Sequence, residues 1–240
     1  MVLFFFSLFY QLQGVNALWG LSLIDYIRTI RDNEMTTTTV DGDGLDIKDL
    51  EVQLDMTIQF LKFMQDKDLH FSAQYDLIYK VKSQQSSSYF DGETMLCLVK
   101  AAKYMAGEDS DSGGYAKSLI PIIEKAAPVM AKAYTLDTWR NDDHDSDETK
   151  GFYQWSSMFF TEYYYAQWEN YEFFGDYVVM MAHWVIHTHG ILNRNRNTGY
   201  AYEGIISAYQ IAKTRGYKDA LLDMKYTIDE GLYNLGRYVA

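Results

Sequence analysis

The stretch SSSYFDGETMLCLVKAAKYM, residues 86–105, sets Asp91 and Glu93 beside two aromatics at the opening of an apolar helix. General acid–base chemistry on a glycosidic bond uses two carboxyl groups, one to donate a proton and one to accept a proton or attack. The pair must flank the bond, and carboxyls two residues apart at one helix start do not reach opposite sides of it. Asp91 is also a natural N-cap, and both charges suit the positive end of a helix. Glu203 enlarges the set. EGIISAYQIAK (203–213) lies over ETMLCLVKAAK (93–103), sharing the glutamate, an apolar pair, a small residue and the final Ala-Lys. Capping accounts for Glu203 less well, because Asn197 or Thr198 would start that helix and leave Glu203 beyond its first residues. Glu93 and Glu203 read either as an acid and base across a cavity, or as structural glutamates whose hydrogen bonds tie helical hairpins together.

Aromatic residues gather at the same helix openings: Tyr89, Phe90, Tyr153, Trp155, Tyr200 and Tyr202. The flat C–H faces of a sugar pack on such rings, so Tyr89, Tyr153, Trp155, Tyr200 and Tyr202 are candidate substrate contacts. The competing role is core packing or a staple at a helix terminus. The run Tyr163, Tyr164 and Tyr165 covers too much of a helix circumference to form one platform and reads as packing. In HWVIHTHG (183–190), His183 and His187 share a helix face as two metal ligands require. The run carries Trp184 where a zinc-protease motif places its glutamate, so His183 is expected to contact substrate rather than metal. His189 falls on another face near the helix end, where a histidine favours the negative terminus. VDGDGLDIKDLE (40–51) is a weak match to a calcium loop, since no glutamate closes it; a turn capped by Asp46 explains it better. There is no P-loop, no G-x-G-x-x-G and no G-x-S-x-G, so nucleotide-dependent and serine-hydrolase chemistry lose their usual support. No cofactor and no metal are expected.

These residues need long helices to position them, and the composition supplies them. The chain has 240 residues and only two prolines, Pro121 and Pro128, which favours uninterrupted helices over a turn-rich sandwich. Its net charge of −12 repels phosphate backbones, which argues against nucleic acid as a partner. Much of the acidity is local, in GEDSDSGG (107–114) and NDDHDSDETKG (141–151), which read as solvated loops. Cys97 is the only cysteine, so no disulfide can form within the chain. Hydrophobic spacing predicts about eight helices: 11–31, 46–66, 91–106, 115–135, 152–169, 174–188, 199–214 and 218–237. Leu50, Leu54, Ile58, Leu61 and Met64 form the clearest stripe. Pro121 is expected in a first turn and Pro128 to kink or divide its helix. Residues 69–88 alternate in places and predict a short hairpin or an extended loop. The opening MVLFFFSLFYQLQGVNA resembles a secretory leader but lacks a preceding Lys or Arg, and its apolar run is too short to span a bilayer.

SSYFDGETMLCLVKAAKYM, GFYQWSSMFFTEYYYAQ and NTGYAYEGIISAYQIAKTRG look like successive inner-helix openings of the six-hairpin glycosidase-like (α/α) toroid proteins. The resemblance covers residues 86–216, and the rest of the chain by helix order only. It implies one all-α domain, 1–240, of helical hairpins in an (α/α) toroid, with inner-helix N-termini rimming a cavity. It further implies a carbohydrate-active protein of hydrolase, lyase or epimerase type, with Glu93, Glu203 and Asp91 as its carboxylates. Four hairpins rather than six imply an incomplete ring, an oligomer or a partner that closes it, and keep open a non-catalytic scaffold that binds a glycan or partner. Cleavage after Ala17 would remove the start of the first inner helix, so the toroid favours the cytoplasm over secretion.

Overall fold

The computed structural model describes residues 10–32, 46–105, 114–194 and 198–239. The leader-like residues 1–9, most of the weak calcium loop, the acidic residues 107–113 and Asn197 lie outside the described residues. About 80% of the described residues are helical, in an all-α fold with eight helices of thirteen residues or more and little strand. No helix among the described residues is long and apolar enough to cross a membrane. The chain divides into two compact units, Met1–Met130 and Ala131–Ala240.

The first unit is built on α1 (Gln13–Asp32), α2 (Ile47–Met64) and α3 (Ser88–Tyr104), with α1 packed on both α2 and α3. The stripe of α2 is buried as its spacing predicts, and the Asp46 carboxylate caps the helix by accepting from the Lys48 N–H at 3.0 Å. α3 is buried continuously from Asp91 to Val99, so it has no solvent face over that stretch and forms the centre of the unit. Close approach of α1 depends on Gly20: a Cβ there would fall 2.6 Å from the Cys97 sulfur and 3.2 Å from Thr57 Cγ2. Cys97 is fully buried, and burial pushes its thiol up to about 12.

Between α2 and α3 the alternating segment forms the predicted hairpin, β2 (Gln74–Asp76) with β3 (Val81–Lys82). The first strand of this small antiparallel sheet, β1 (Tyr10–Leu12), pairs with β2 and leads directly into α1. The sheet extends into the helix start, where the Gln13 N–H donates to the Ala73 carbonyl at 3.0 Å. α4 (Gly114–Lys132) begins one residue before its predicted start, and Pro121, its eighth residue, lies inside the helix and past its first turn. Pro128 does not divide it either: helix continues to Lys132 before a π-turn at Ala133–Asp137 and the short α5 (Thr138–Asn141).

The second unit contains α6 (Asp147–Ala166), α7 (Tyr171–His183), α8 (Gly199–Arg215) and α9 (Lys218–Val239). α6, α7 and α8 pack against one another and α8 packs on α9. Residues 167–170 join α6 to α7, a connection short enough to turn α7 back along α6. Gly216, at φ +74°, ends α8, and the following Tyr217 N–H donates back to the Ala212 carbonyl at 2.9 Å. Aromatic rings fill the core: Phe160 stacks on Phe174 at 4.7 Å and sits 4.8 Å from Tyr177. In the tyrosine run, Tyr163 and Tyr164 are buried and Tyr165 is exposed, as packing requires. Helical backbone runs past α7 as a π-turn, Trp184–Thr188, which buries Trp184, Val185 and Ile186 in succession.

Candidate functional site

In the first unit, the chemistry gathers where the loop after α2 meets the opening of α3. Asp91 is not the N-cap. Ser87 occupies that position in extended backbone, the helix starts at Ser88, and Asp91 lies inside the first turn. Its carboxylate has another use: Oδ1 accepts the Phe71 N–H at 2.9 Å and Oδ2 accepts from His70 Nδ1 at 2.6 Å. Asp91 is wholly buried and still benefits from the helix dipole. Its hydrogen bond raises the His70 pKa above 6.5, against the opposing effect of partial burial.

Glu93, two residues on, has a different environment. Its side chain is 7% exposed, its Oε2 has no hydrogen-bond partner, and burial pushes its pKa up to about 7. The start of α1 closes over it, because a Cβ on Gly14 would overlap both Glu93 Oε2 and the Phe90 ring. The neighbouring Gln13 donates through Nε2 to the Phe90 carbonyl at 3.2 Å and to Thr94 Oγ1, which leaves Gln13 Oε1 without a partner. The seam between α1 and α3 therefore holds two buried acceptor oxygens that lack donors. A proton on Glu93 turns one acceptor into a donor, so the seam favours the neutral acid. Tyr89 is exposed, two residues before Asp91.

In the second unit the predicted residues separate. Glu203, the fifth residue of α8, is exposed, whereas its register partner Glu93 is buried. SSMFFTEYYYA (156–166) follows the same apolar pattern with Ser156 in place of the glutamate, and Ser156 is the tenth residue of α6 and is buried. Tyr153 is fully buried and donates from its hydroxyl to the Ala201 carbonyl at 2.9 Å, an anchor between α6 and α8 rather than a rim residue. Burial pushes its phenol pKa far up. Trp155 is half-buried, and Tyr202 lays its ring over Gly231 of α9. His183 is exposed with its ring 4.4 Å from that of His187, and His187 Nε2 lies 2.7 Å from Asp223 Oδ2. Among the described residues no three His, Cys, Asp or Glu side chains are arranged to hold a metal ion.

Tyr153 and Tyr200 are brought together, edge to face at 6.3 Å, beside Trp184 at 6.0 Å from Tyr153. The residue the sequence reading undervalued is His189. It is buried, stacks on Trp184 at 5.3 Å, and lies between Asp145 and Tyr200. Asp145 belongs to the acidic run read as solvated loop, 44 positions away, so no local spacing links the pair. The sequence around it, Thr188 before and Gly190 after, marks only a histidine just past an apolar helix.

α8 reaches α6 at Gly204, where a Cβ would crowd the Tyr153 hydroxyl and fall 2.8 Å from Ser157 Oγ. Gly204→Ala is expected to lower the stability of the second unit by about 1–3 kcal/mol through overpacking. A reduced urea midpoint checks this; an unchanged midpoint means that Tyr153 moves aside at no cost.

Comparison with protein-family models, with curated proteins and with solved structures finds no match to this chain.

Proposed function

We propose that this protein acts on an oligo- or polysaccharide, with Glu93 as its proton donor. One observation carries the reading: a carboxyl at the opening of α3, buried, lacking a partner on Oε2, and held near neutrality at a pKa of about 7. A general acid must keep its proton at working pH, and a desolvated glutamate does so. Protonation of a departing or bridging sugar oxygen is the step this group can supply, whether the reaction is hydrolysis, elimination or epimerisation. His70, held by Asp91 at the same helix opening, is a titratable group of the site, and exposed Tyr89 offers a face to a sugar ring. The substrate class comes from the resemblance of the helix openings to the six-hairpin glycosidase-like toroid proteins, an argument by analogy.

A panel of neutral and acidic oligosaccharides, screened first by thermal shift and then for turnover, tests the reading. Glu93→Gln is expected to reduce turnover of a binding sugar by about 10²–10⁴-fold while leaving its thermal shift in place. Glu203→Gln, made alongside, asks whether the exposed α8 carboxylate contributes. Turnover that survives Glu93→Gln removes Glu93 as the acid. A second reading is favoured by the closure of Gly14 and Phe90 over Glu93: a scaffold that binds a glycan or partner without chemistry. Sugars that shift the midpoint and are never consumed would establish it.

A further inference from the structure

The second unit contains a hydrogen-bonded series that the saccharide reading does not use. Tyr200 Oη lies 2.7 Å from His189 Nε2, and His189 Nδ1 lies 2.5 Å from Asp145 Oδ1. The other Asp145 oxygen accepts from Arg194 Nη2 at 3.0 Å, and Arg194 Nε donates to the His189 carbonyl at 2.9 Å. Trp184 covers one face of the imidazole and is itself fixed by an indole N–H donated to the His144 carbonyl at 2.7 Å. The carboxylate assigns the tautomer: Nδ1 carries the proton toward Asp145, and Nε2 accepts the Tyr200 hydroxyl.

From this geometry we propose that Asp145, His189 and Tyr200 form a second proton-transfer site, whose working atom is the Tyr200 phenol oxygen and whose substrate class is an alcohol. In the forward step a substrate O–H bond breaks and its proton passes to Tyr200 Oη as the Tyr200 O–H proton passes to His189 Nε2. The products are an alkoxide, an intact phenol and an imidazolium held by the Asp145 carboxylate, so charge balances. The reverse step protonates a departing alkoxide. Burial suits the assignment. His189 is 4% exposed, so its new charge has Asp145 as its counterion rather than water, while Tyr200 is half-buried and can meet a solute. Arg194 acts as a positioning residue, since it grips both the carboxylate and the backbone of the histidine.

A phenol coupled to a base is also a better nucleophile, which gives a test independent of any sugar. In phenylsulfonyl fluoride labelling of the intact chain, Tyr200 Oη forms the S–O bond, fluoride leaves and His189 takes the proton. Peptide mapping is expected to show Tyr200 modified at least about tenfold faster than the exposed Tyr79, Tyr226 and Tyr233. His189→Gln and Asp145→Asn are each expected to bring Tyr200 down to the rate of those tyrosines, with the buried Tyr163 staying unlabelled as the sign that the unit stays folded. The comparison within the wild-type chain needs no variant. Tyr200 labelling no faster than Tyr79, Tyr226 or Tyr233 overturns the proposal, as does a fast rate that survives both substitutions. Because Glu93 plays no part in this labelling, either site can fail without the other.

Discussion

Replacing Glu93 with glutamine is expected to raise the unfolding midpoint by several degrees at pH 8 and to leave it almost unchanged at pH 4. The sign follows from linkage. A carboxyl whose pKa is higher in the folded chain binds its proton more tightly there, so the fold is favoured most at low pH. That advantage is lost as pH rises from the ordinary value of 4.5 through the folded value of about 7. At about 1.4 kcal/mol for each pH unit, the interval comes to about 3 kcal/mol of stability that ionisation of Glu93 removes. Glutamine removes the charge and places an amide donor in a seam whose two orphaned oxygens, Glu93 Oε2 and Gln13 Oε1, are both acceptors. Chemical denaturation of both proteins from pH 4 to pH 8 measures the effect. Parallel curves across that range would show that Glu93 titrates normally and would remove the ground for treating it as a proton donor.

The same substitution separates a structural role from a functional one. A glutamate kept only to tie helices together should be missed when it is replaced, yet this one lacks a partner on Oε2 and is expected to destabilise the fold above neutrality. A variant more stable and less active than the natural chain is the pattern of a strained functional group. His70 contributes with the same sign. Its pKa is raised by Asp91, so its contribution is complete below 6.5 and declines as pH climbs through the folded value. In Glu93→Gln the residual fall in stability toward alkaline pH should therefore follow the imidazole.

Helix positions were legible wherever one face alone is buried. α2 could be read from five apolar residues and a capping aspartate, because its other face meets solvent and the contrast survives in the sequence. α3 offered no such contrast; being buried all round, it hid its own start, and Asp91 passed for a cap when it was three residues inside. The alignment of Glu93 with Glu203 was correct as letters and uninformative as depth, since burial depends on what packs opposite and not on register within a helix. Both clusters of hydrogen-bonded side chains escaped for one reason. His70 meets Asp91 across 21 positions, and His189 meets Asp145 across 44, through loops whose course no periodicity encodes. The π-turn after α7 was equally silent, although it carries Trp184 into place beside His189.

Asp91→Ala is expected to destabilise the first unit by about 3 kcal/mol, because it strands the buried Phe71 N–H and the half-buried His70 imidazole at once. The Phe71 N–H and His70 Nδ1 both point at this carboxylate, and together they fasten the chain after α2 to the first turn of α3. Through that attachment the hairpin of β2 and β3 and the start of α1 are held in place, since Ala73 both accepts the Gln13 N–H and donates to the Gln85 carbonyl at 2.7 Å. Loss of the carboxylate should therefore be felt beyond its own contacts. The Phe71 amide should exchange with solvent at a rate set by local opening, while amides in the middle of α2 remain protected. Asp91→Asn keeps one acceptor for Phe71 and lets His70 turn its other tautomer toward the new amide, so it should recover most of the stability and abolish the elevated histidine pKa. Urea titration and hydrogen exchange on the two variants check both halves. If alanine costs under about 1 kcal/mol, water has replaced the carboxylate and Asp91 does not anchor the loop.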